Sequence, residues 1–92
     1  TLNKFKDEQD VVKMANDNDY GLASIIWTNN ASKANKLAEI LESGLVWINC
    51  WLERDLRTPF GGIKNSGYGK EGGKYAIDFF TEPKNICIKY YD

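Results

Sequence analysis

Few side chains in this sequence of 92 residues could carry nucleophilic or metal chemistry. Two cysteines and no histidine are present, so the chain cannot supply the Ser-His or Cys-His pair that activates a hydrolytic nucleophile. Cys50 and Cys87 each lie in an apolar run, which favours reduced thiols packed in a core over a disulfide framework or a reactive thiolate. A zinc site would depend on these two distant thiols and on carboxylates. The composition therefore argues against a self-contained hydrolase or zinc enzyme.

A glycine-rich run has the spacing of a dinucleotide-binding fingerprint. Gly67, Gly69 and Gly72 match G-x-G-x-x-G, but the fingerprint binds a pyrophosphate only where a strand leads directly into a helix. Polar loop residues precede the glycines here, so the sequence favours a glycine-rich turn. We expect no cofactor to be bound by this chain alone.

A charged segment, residues 53–57 (Glu-Arg-Asp-Leu-Arg), follows the second apolar run of the chain. Taken alone, it is typical of a solvated loop in which Arg54 pairs with Asp55 or Glu53. It lies inside a long segment without periodicity, residues 51–69, and loops of that length are usually functional or disordered. The residues alone leave both interpretations open.

Two apolar runs joined by a helical pattern must position this loop. Residues 22–28 and 45–50 have the β-branched and aromatic composition of strands covered on both faces. Between them apolar residues repeat at helical spacing, with Asn29 or Asn30 as the N-cap and Gly44 as a left-handed stop. We therefore predict a β-α-β unit with parallel strands and a right-handed crossover.

Two further helices and a terminal strand are predicted around this unit. Asp7 caps a short first helix, residues 70–81 form a third helix, and residues 85–91 have the composition of a strand. One helix before the unit and one within it cannot cover both faces of a parallel sheet, so the pattern predicts an α/β piece of a larger layered structure. The terminal strand could cover its own sheet edge or add to another subunit's sheet, and the pattern leaves both open.

The charge balance and hydropathy of the chain exclude several partner classes. A net charge of −1 gives no basic surface for nucleic acid or for an anionic membrane. No run of about 18 apolar residues and no signal-peptide pattern is present, so we expect no membrane association and a cytoplasmic location.

Residues 59–71, Pro-Phe-Gly-Gly-Ile-Lys-Asn-Ser-Gly-Tyr-Gly-Lys-Glu, closely resemble the P-F-G-G-x-K-x-S-G-x-G-[RK]-E signature of aldehyde dehydrogenases. Residues 15–23 and 44–50 resemble the family's A-N-x-x-x-Y-G-L-A and G-x-V-W-[IV]-N segments in the same order. Residues 49–56 are also similar to the branch that oxidises 2-aminomuconate and 2-hydroxymuconate semialdehydes. The resemblance covers nearly the whole chain.

The resemblance implies that residues 1–84 are the C-terminal part of the catalytic domain, with a substrate-tunnel loop at residues 51–69. It implies that residues 85–92 form an assembly strand, which joins subunits into homodimers or tetramers through residues 85–91. In this family an upstream cysteine thiolate attacks a small-molecule aldehyde, hydride passes to NAD or NADP, and water releases the acid. We therefore expect no catalytic residue in this chain, which should be inactive alone.

Three residues of the tunnel loop are implied to contact the substrate, and a fourth is a second candidate. Phe60 matches the family's tunnel phenylalanine, and Leu52 and Arg54 match two further pocket-lining positions. Many relatives carry an aromatic residue where this chain has Arg54, so we expect its guanidinium to bind the distal carboxylate of an acidic semialdehyde. Arg57 is the second candidate for that role.

A different class of function is a non-catalytic scaffold, interaction module or structural protein made from the same fold. The residues that precede Thr1 distinguish these hypotheses. A reactive cysteine upstream indicates an enzyme, a translation start near Thr1 favours the scaffold, and a replaced cysteine indicates a structural protein.

Overall fold

The computed structural model describes residues 1–91 and shows an α/β chain with three short helices and two small sheets. The elements are α1 (Glu8–Asn16), β1 (Tyr20–Gly21), β2 (Ala23–Ile26), α2 (Ala31–Ile40), β3 (Leu45–Ile48), β4 (Ile63–Lys64) and α3 (Gly73–Phe80). Within residues 1–91, none of the helices is long and apolar enough to cross a bilayer.

The predicted β-α-β unit is confirmed. Strands β2 and β3 pair in parallel, with Ala23 opposite Leu45 at one end of the ladder. Helix α2 is capped by Asn30, whose side-chain oxygen accepts a hydrogen bond from the Lys33 N–H at 2.9 Å. Asp7 caps α1 in the same way, because its carboxylate accepts from the Asp10 N–H at 2.9 Å. The Asp7 cap is therefore confirmed, and of the two candidates for the second helix, Asn29 and Asn30, the structure selects Asn30.

The core of the described residues is small and is centred on the parallel pair. Ile26 of β2 and Trp47 of β3 are each 8% exposed, and Ala34 of α2 is 3% exposed. Ile25 pairs with Trp47 and Ile26 pairs with Ile48, so Ile26 and Trp47 lie on opposite faces of the parallel pair, because side chains alternate along a strand. The buried side chains are therefore divided between the two faces, and their burial is the main favourable term in folding.

Gly44 does not end α2 as predicted. The helix ends at Ile40, and its C-cap Leu41 is extended, with φ −73° and ψ 127°, so the helix has no left-handed stop. A Cβ built on Gly44 would instead lie 1.8 Å from the carbonyl oxygen of Gly61. Glycine is needed at this position because β3 begins where another stretch of backbone crosses it at close range.

An antiparallel pair that the sequence did not predict fixes residues 59–71, hereafter the signature loop, to the start of the parallel unit. Strand β1 pairs with β4, with Gly21 opposite Ile63. The Ser66 hydroxyl then accepts a hydrogen bond from the Gly21 N–H at 2.9 Å. The segment 51–69 is therefore partly ordered as a strand, contrary to its lack of periodicity.

Large apolar side chains remain uncovered in the described part of the chain. Ile25 of β2 is 39% exposed and Trp27 is 69% exposed, so the prediction of strands covered on both faces is not met by residues 1–91. Helix α3 is shorter than the predicted range 70–81 and exposes Phe79 and Phe80. Its start is delayed to Gly73 because the backbone of Glu71 is paired with Phe60.

Residues 81–91 lie outside the two sheets of the described chain. The strand predicted at residues 85–91 therefore has no partner within residues 1–91, and its pairing with another subunit stays a prediction. Cys87 is exposed, so the expectation of a core thiol is wrong for this position within the single chain. Cys50 is half-buried, which meets the expectation of a core thiol only in part.

Candidate functional site

The signature loop is closed by a reciprocal pair of backbone hydrogen bonds. The Phe60 N–H donates to the Glu71 carbonyl and the Glu71 N–H donates to the Phe60 carbonyl, both at 2.8 Å. Inside this closure the Lys70 ammonium donates to the carbonyls of Gly61 and Gly62, at 2.9 and 2.7 Å. Hydrogen bonds from a charged donor are stronger than neutral ones, so these contacts add to the short β1–β4 pair in holding the loop.

Two of the predicted site residues, Arg54 and Phe60, are brought into contact at the edge of this loop. The guanidinium carbon of Arg54 lies 4.1 Å from the centroid of the Phe60 ring. One terminal nitrogen of the same guanidinium is 3.2 Å from a carboxylate oxygen of Glu71. The Arg54 side chain is 32% exposed, and a cation over an aromatic face is attracted more strongly as it loses water. The site therefore presents a partly desolvated cation on an apolar surface.

Arg57, the second candidate for binding a carboxylate, is already occupied. Its Nε donates to both carboxylate oxygens of Asp55 at 2.9 and 3.1 Å, and a terminal nitrogen donates at 2.5 Å. These hydrogen bonds lower the pKa of Asp55. The Arg57 side chain is 88% exposed, so the pair lies in solvent. The alternative pairing of Arg54 with Asp55 or Glu53 is therefore wrong, because Asp55 binds Arg57 and Arg54 binds Glu71.

Leu52, the fourth predicted site residue, is 58% exposed and has a left-handed backbone with φ 56°. A non-glycine residue in this region costs about 1–3 kcal/mol and persists where neighbouring contacts determine it. The next residue, Glu53, makes such a contact: its carbonyl accepts a hydrogen bond from the indole N–H of Trp47 at 2.9 Å. The Trp51 ring also packs edge-on to Trp47, with centroids 5.5 Å apart. The start of the segment 51–69 is therefore anchored to the core by Trp47.

Asn49 connects the ends of the two parallel strands. Its side-chain oxygen accepts from the Thr28 N–H at 2.9 Å, and its side-chain nitrogen donates to the Thr28 carbonyl at 2.8 Å. The Asn49 backbone is left-handed, with φ 55°, which asparagine tolerates better than most residues. Asn49 therefore has a structural role at the point where the chain leaves β3.

The glycine fingerprint does not fit a dinucleotide. A Cβ on Gly69 would lie 2.2 Å from the Phe79 ring, and one on Gly72 would lie 2.1 Å from the Thr58 carbonyl oxygen. The space that these glycines leave is therefore filled by the chain itself, whereas a dinucleotide site leaves that space for a pyrophosphate. The strand before them, β4, is two residues long and antiparallel, unlike the parallel strand of that motif.

Sequence reasoning missed two residues of the site, Lys70 and Glu71. Their only signal was their position as the last two residues of the signature, because Glu71 is 17 residues from Arg54 in the sequence. A contact between two loop positions this far apart has no periodicity that could reveal it.

Comparisons with known proteins identify the family. The model of the aldehyde dehydrogenase family matches residues 1–86. Over 88 residues the chain is 52% identical to a 2-hydroxymuconic semialdehyde dehydrogenase of Pseudomonas sp. (strain CF600). This alignment covers 96% of the chain and 18% of the relative. Over 86 residues it is 50% identical to the human (Homo sapiens) 2-aminomuconic semialdehyde dehydrogenase, covering 94% of this chain and 18% of that relative. The chain thus spans less than a fifth of the length of either relative.

A solved structure agrees with these matches. The NAD⁺ complex of an aldehyde dehydrogenase from Bacillus cereus superposes with a TM-score of 0.81 and 42% sequence identity, over 85% of this chain and 16% of that one. Sequence, family model and backbone geometry lead to the same conclusion, so the chain belongs to the aldehyde dehydrogenase family.

Proposed function

We propose that this chain is the C-terminal segment of an NAD(P)-dependent aldehyde dehydrogenase that oxidises an acidic semialdehyde to a dicarboxylate. The match to only 18% of each relative supports a longer enzyme in which other segments supply the nucleophile and the cofactor site. The chain alone is then inactive. Acid formation by the isolated 92-residue chain with aldehyde and NAD⁺ or NADP⁺ would contradict this proposal.

The contact between Arg54 and Phe60 is the observation that carries the substrate class. An arginine held 4.1 Å above an aromatic ring combines an apolar surface for a carbon chain with donors for an anionic end. A guanidinium matches a carboxylate in shape and can form two parallel hydrogen bonds with it. A short chain with an aldehyde at one end and a carboxylate at the other fits this pair of groups.

In the proposed reaction these residues bind and orient the substrate and do not take part in bond making. Arg54 fixes the distal carboxylate, Phe60 and Leu52 line the path of the carbon chain, and the aldehyde is thereby directed away from this loop toward the nucleophile. Bound NAD(P) supplies the hydride acceptor. Holding the reacting carbon in position can lower a barrier by several kcal/mol, so a distal contact supports catalysis.

The test is Arg54→Ala in the complete enzyme. Loss of a charged hydrogen-bonding partner should raise KM for an acidic semialdehyde by roughly 10- to 100-fold, while KM for a neutral aldehyde of equal length changes by about 2-fold or less. Steady-state kinetics with the two substrates measure the ratio. An equal change for both substrates would refute the substrate class.

Arg57→Ala is the matched control. Because Arg57 is bound to Asp55 in solvent, its loss should leave the preference for the acidic substrate nearly unchanged. If Arg57→Ala lowered the preference for the acidic substrate more than Arg54→Ala, Arg57 would be the residue that binds the carboxylate, and the proposal would be contradicted.

We further propose that residues 85–91 form an assembly strand between subunits of a homo-oligomer. Ile86, Ile88 and Tyr90 alternate along this segment and are 72%, 64% and 86% exposed. Side chains two residues apart lie on one face of a strand, so the segment presents an apolar stripe and an unpaired backbone. Such a strand is suited to adding to the edge of another subunit's sheet.

A further inference from the structure

The Arg54 guanidinium already has a carboxylate partner within the chain. A single oxygen of Glu71 accepts from one terminal nitrogen at 3.2 Å, which is longer than the 2.7–2.9 Å of a strong charged pair. The Glu71 side chain is 58% exposed. The contact is therefore a weak, one-point ion pair, unlike the forked pair between Arg57 and Asp55.

The backbone of Glu71 keeps this carboxylate near Arg54 even when the side-chain contact breaks. Glu71 is fixed to Phe60 by two hydrogen bonds of 2.8 Å, and Phe60 is the ring on which Arg54 lies. The Glu71 carboxylate therefore competes with a substrate carboxylate for the Arg54 guanidinium. Because Glu71 belongs to the same chain, its effective concentration near Arg54 does not fall on dilution. Any carboxylate that binds Arg54 must therefore do so in the field of Glu71.

Arg54 can bind a second carboxylate without leaving its ring. A guanidinium has five N–H donors, and Glu71 accepts from one nitrogen only. Arg54 therefore has free N–H donors for a substrate carboxylate. The negative charge of Glu71, however, offsets part of the attraction that Arg54 exerts on an approaching anion.

We infer that Glu71 is a built-in counter-ion that sets how strongly Arg54 binds the distal carboxylate of the substrate. This inference rests on the proposed function and makes Glu71 a specificity-determining residue that acts through Arg54. Glu71 weakens binding of the acidic semialdehyde and so also of the dicarboxylate product, which carries the same distal group. Its removal should sharpen the preference for acidic over neutral aldehydes.

The first experiment is Glu71→Gln in the complete enzyme, because an amide keeps the shape and one acceptor while removing the charge. We expect the ratio of kcat/KM for an acidic semialdehyde to that for a neutral aldehyde of equal length to rise roughly 3-fold, the scale of a partly exposed ion pair. A change in kcat common to both substrates cancels in this ratio. Asp78→Asn is the matched control, since Asp78 is also 58% exposed and paired, with Lys74, and its ratio should not change.

The second experiment repeats Glu71→Gln in an Arg54→Gln background, where the ratio should no longer respond. An unchanged or lowered ratio after Glu71→Gln alone overturns the inference, while a selective loss in Arg54→Gln still supports the proposed function. A 3-fold rise that persists without Arg54 also overturns the inference, because Glu71 would then repel the substrate directly. If Arg54→Gln itself shows no selectivity, it is the proposed function that fails.

Discussion

The signature loop and the tail at residues 81–91 differ in how the sequence pattern relates to the pairing that the structure shows. The loop has little periodicity, yet it is closed by the Phe60 and Glu71 backbone pair and by Lys70. The tail has the alternating apolar pattern of a strand, yet it pairs with neither sheet of residues 1–91. The loop is paired by contacts made inside the described chain, whereas the strand proposed for the tail would have to pair with another subunit.

This difference has a physical reason. A loop can satisfy its own peptide groups with a few long-range contacts if glycines let backbones approach closely. A single strand cannot, because each of its peptide groups needs a neighbouring strand. Substitutions in the loop should therefore affect folding of the subunit, and changes in the tail should affect assembly.

The largest expected effect comes from removing the tail. Deleting residues 85–92 from the complete enzyme should convert oligomers to monomers, because the apolar stripe and the paired backbone are lost together. Sedimentation velocity measures the change. A deletion variant that keeps the oligomeric state of the parent would contradict the assembly role of residues 85–91.

A control separates the tail from exposed aromatic surface in general. Tyr68 of the signature loop is 97% exposed, so Tyr68→Ser removes an equally exposed ring while leaving the tail intact. We expect this variant to keep the oligomeric state of the parent.

The next largest effect is expected where the loop crosses β3. Gly44→Ala places a methyl group 1.8 Å from the Gly61 carbonyl oxygen, and backbone cannot move aside as a side chain can, so we expect a loss of about 3 kcal/mol in the free energy of unfolding. Thermal unfolding of the complete enzyme measures it. Gly67→Ala should lose less, because the added methyl group meets nothing within 4 Å and only backbone strain remains. Equal losses would show that the crossing is not tight.

These glycines illustrate how far the sequence alone could predict the fold. Helix α2, its Asn30 cap and the parallel strands follow from apolar spacing and local capping, which act over a few residues. The strands β1 and β4 are two residues long, too short to show a period of two. The role of Gly44 was wrongly predicted because the sequence does not distinguish a glycine that is needed for close backbone packing from one that is needed for a left-handed turn.

A smaller effect is expected from the ammonium that closes the loop. Lys70→Met keeps the apolar stem but leaves the carbonyls of Gly61 and Gly62 without their donor, which should cost about 2 kcal/mol in thermal unfolding of the complete enzyme. Lys70→Arg should recover part of this stability. Lys74→Met is the control, because Lys74 lies in solvent at 83% exposure and should change little. If Lys70→Met and Lys74→Met behave alike, the ammonium does not hold the loop.

The smallest effect concerns the exposed pair of Asp55 and Arg57. Hydrogen bonds from Arg57 lower the pKa of Asp55 in the folded chain, so the folded state favours the ionised carboxylate. The pair's contribution to stability is therefore complete above the unfolded pKa of about 4 and is lost as the pH falls through the lower folded value. Asp55→Asn should flatten this acid-side slope slightly in unfolding curves. An unchanged slope would show that the pair adds nothing.

The candidate site was predictable in part. Phe60, Arg54, Leu52 and Arg57 were named because the resemblance assigns or suggests a role for each position, and the structure brings Arg54 onto Phe60. The partner of Arg54 was not predictable, because neighbours in sequence, Glu53 and Asp55, were equally charged candidates. Only the backbone pairing of residues 60 and 71 brings Glu71 close enough to compete with them.

The Asn49 amide has a consequence for the point where the chain enters residues 51–69. By bonding both backbone groups of Thr28, this side chain imitates a peptide unit and adds one more rung to the ladder after the main chain has turned away. Aspartate would replace the donor by a second acceptor, and leucine would offer neither. A single planar amide therefore fixes the backbone where it leaves β3 for residues 51–69, and a change of one atom, from nitrogen to oxygen, removes one of its two hydrogen bonds.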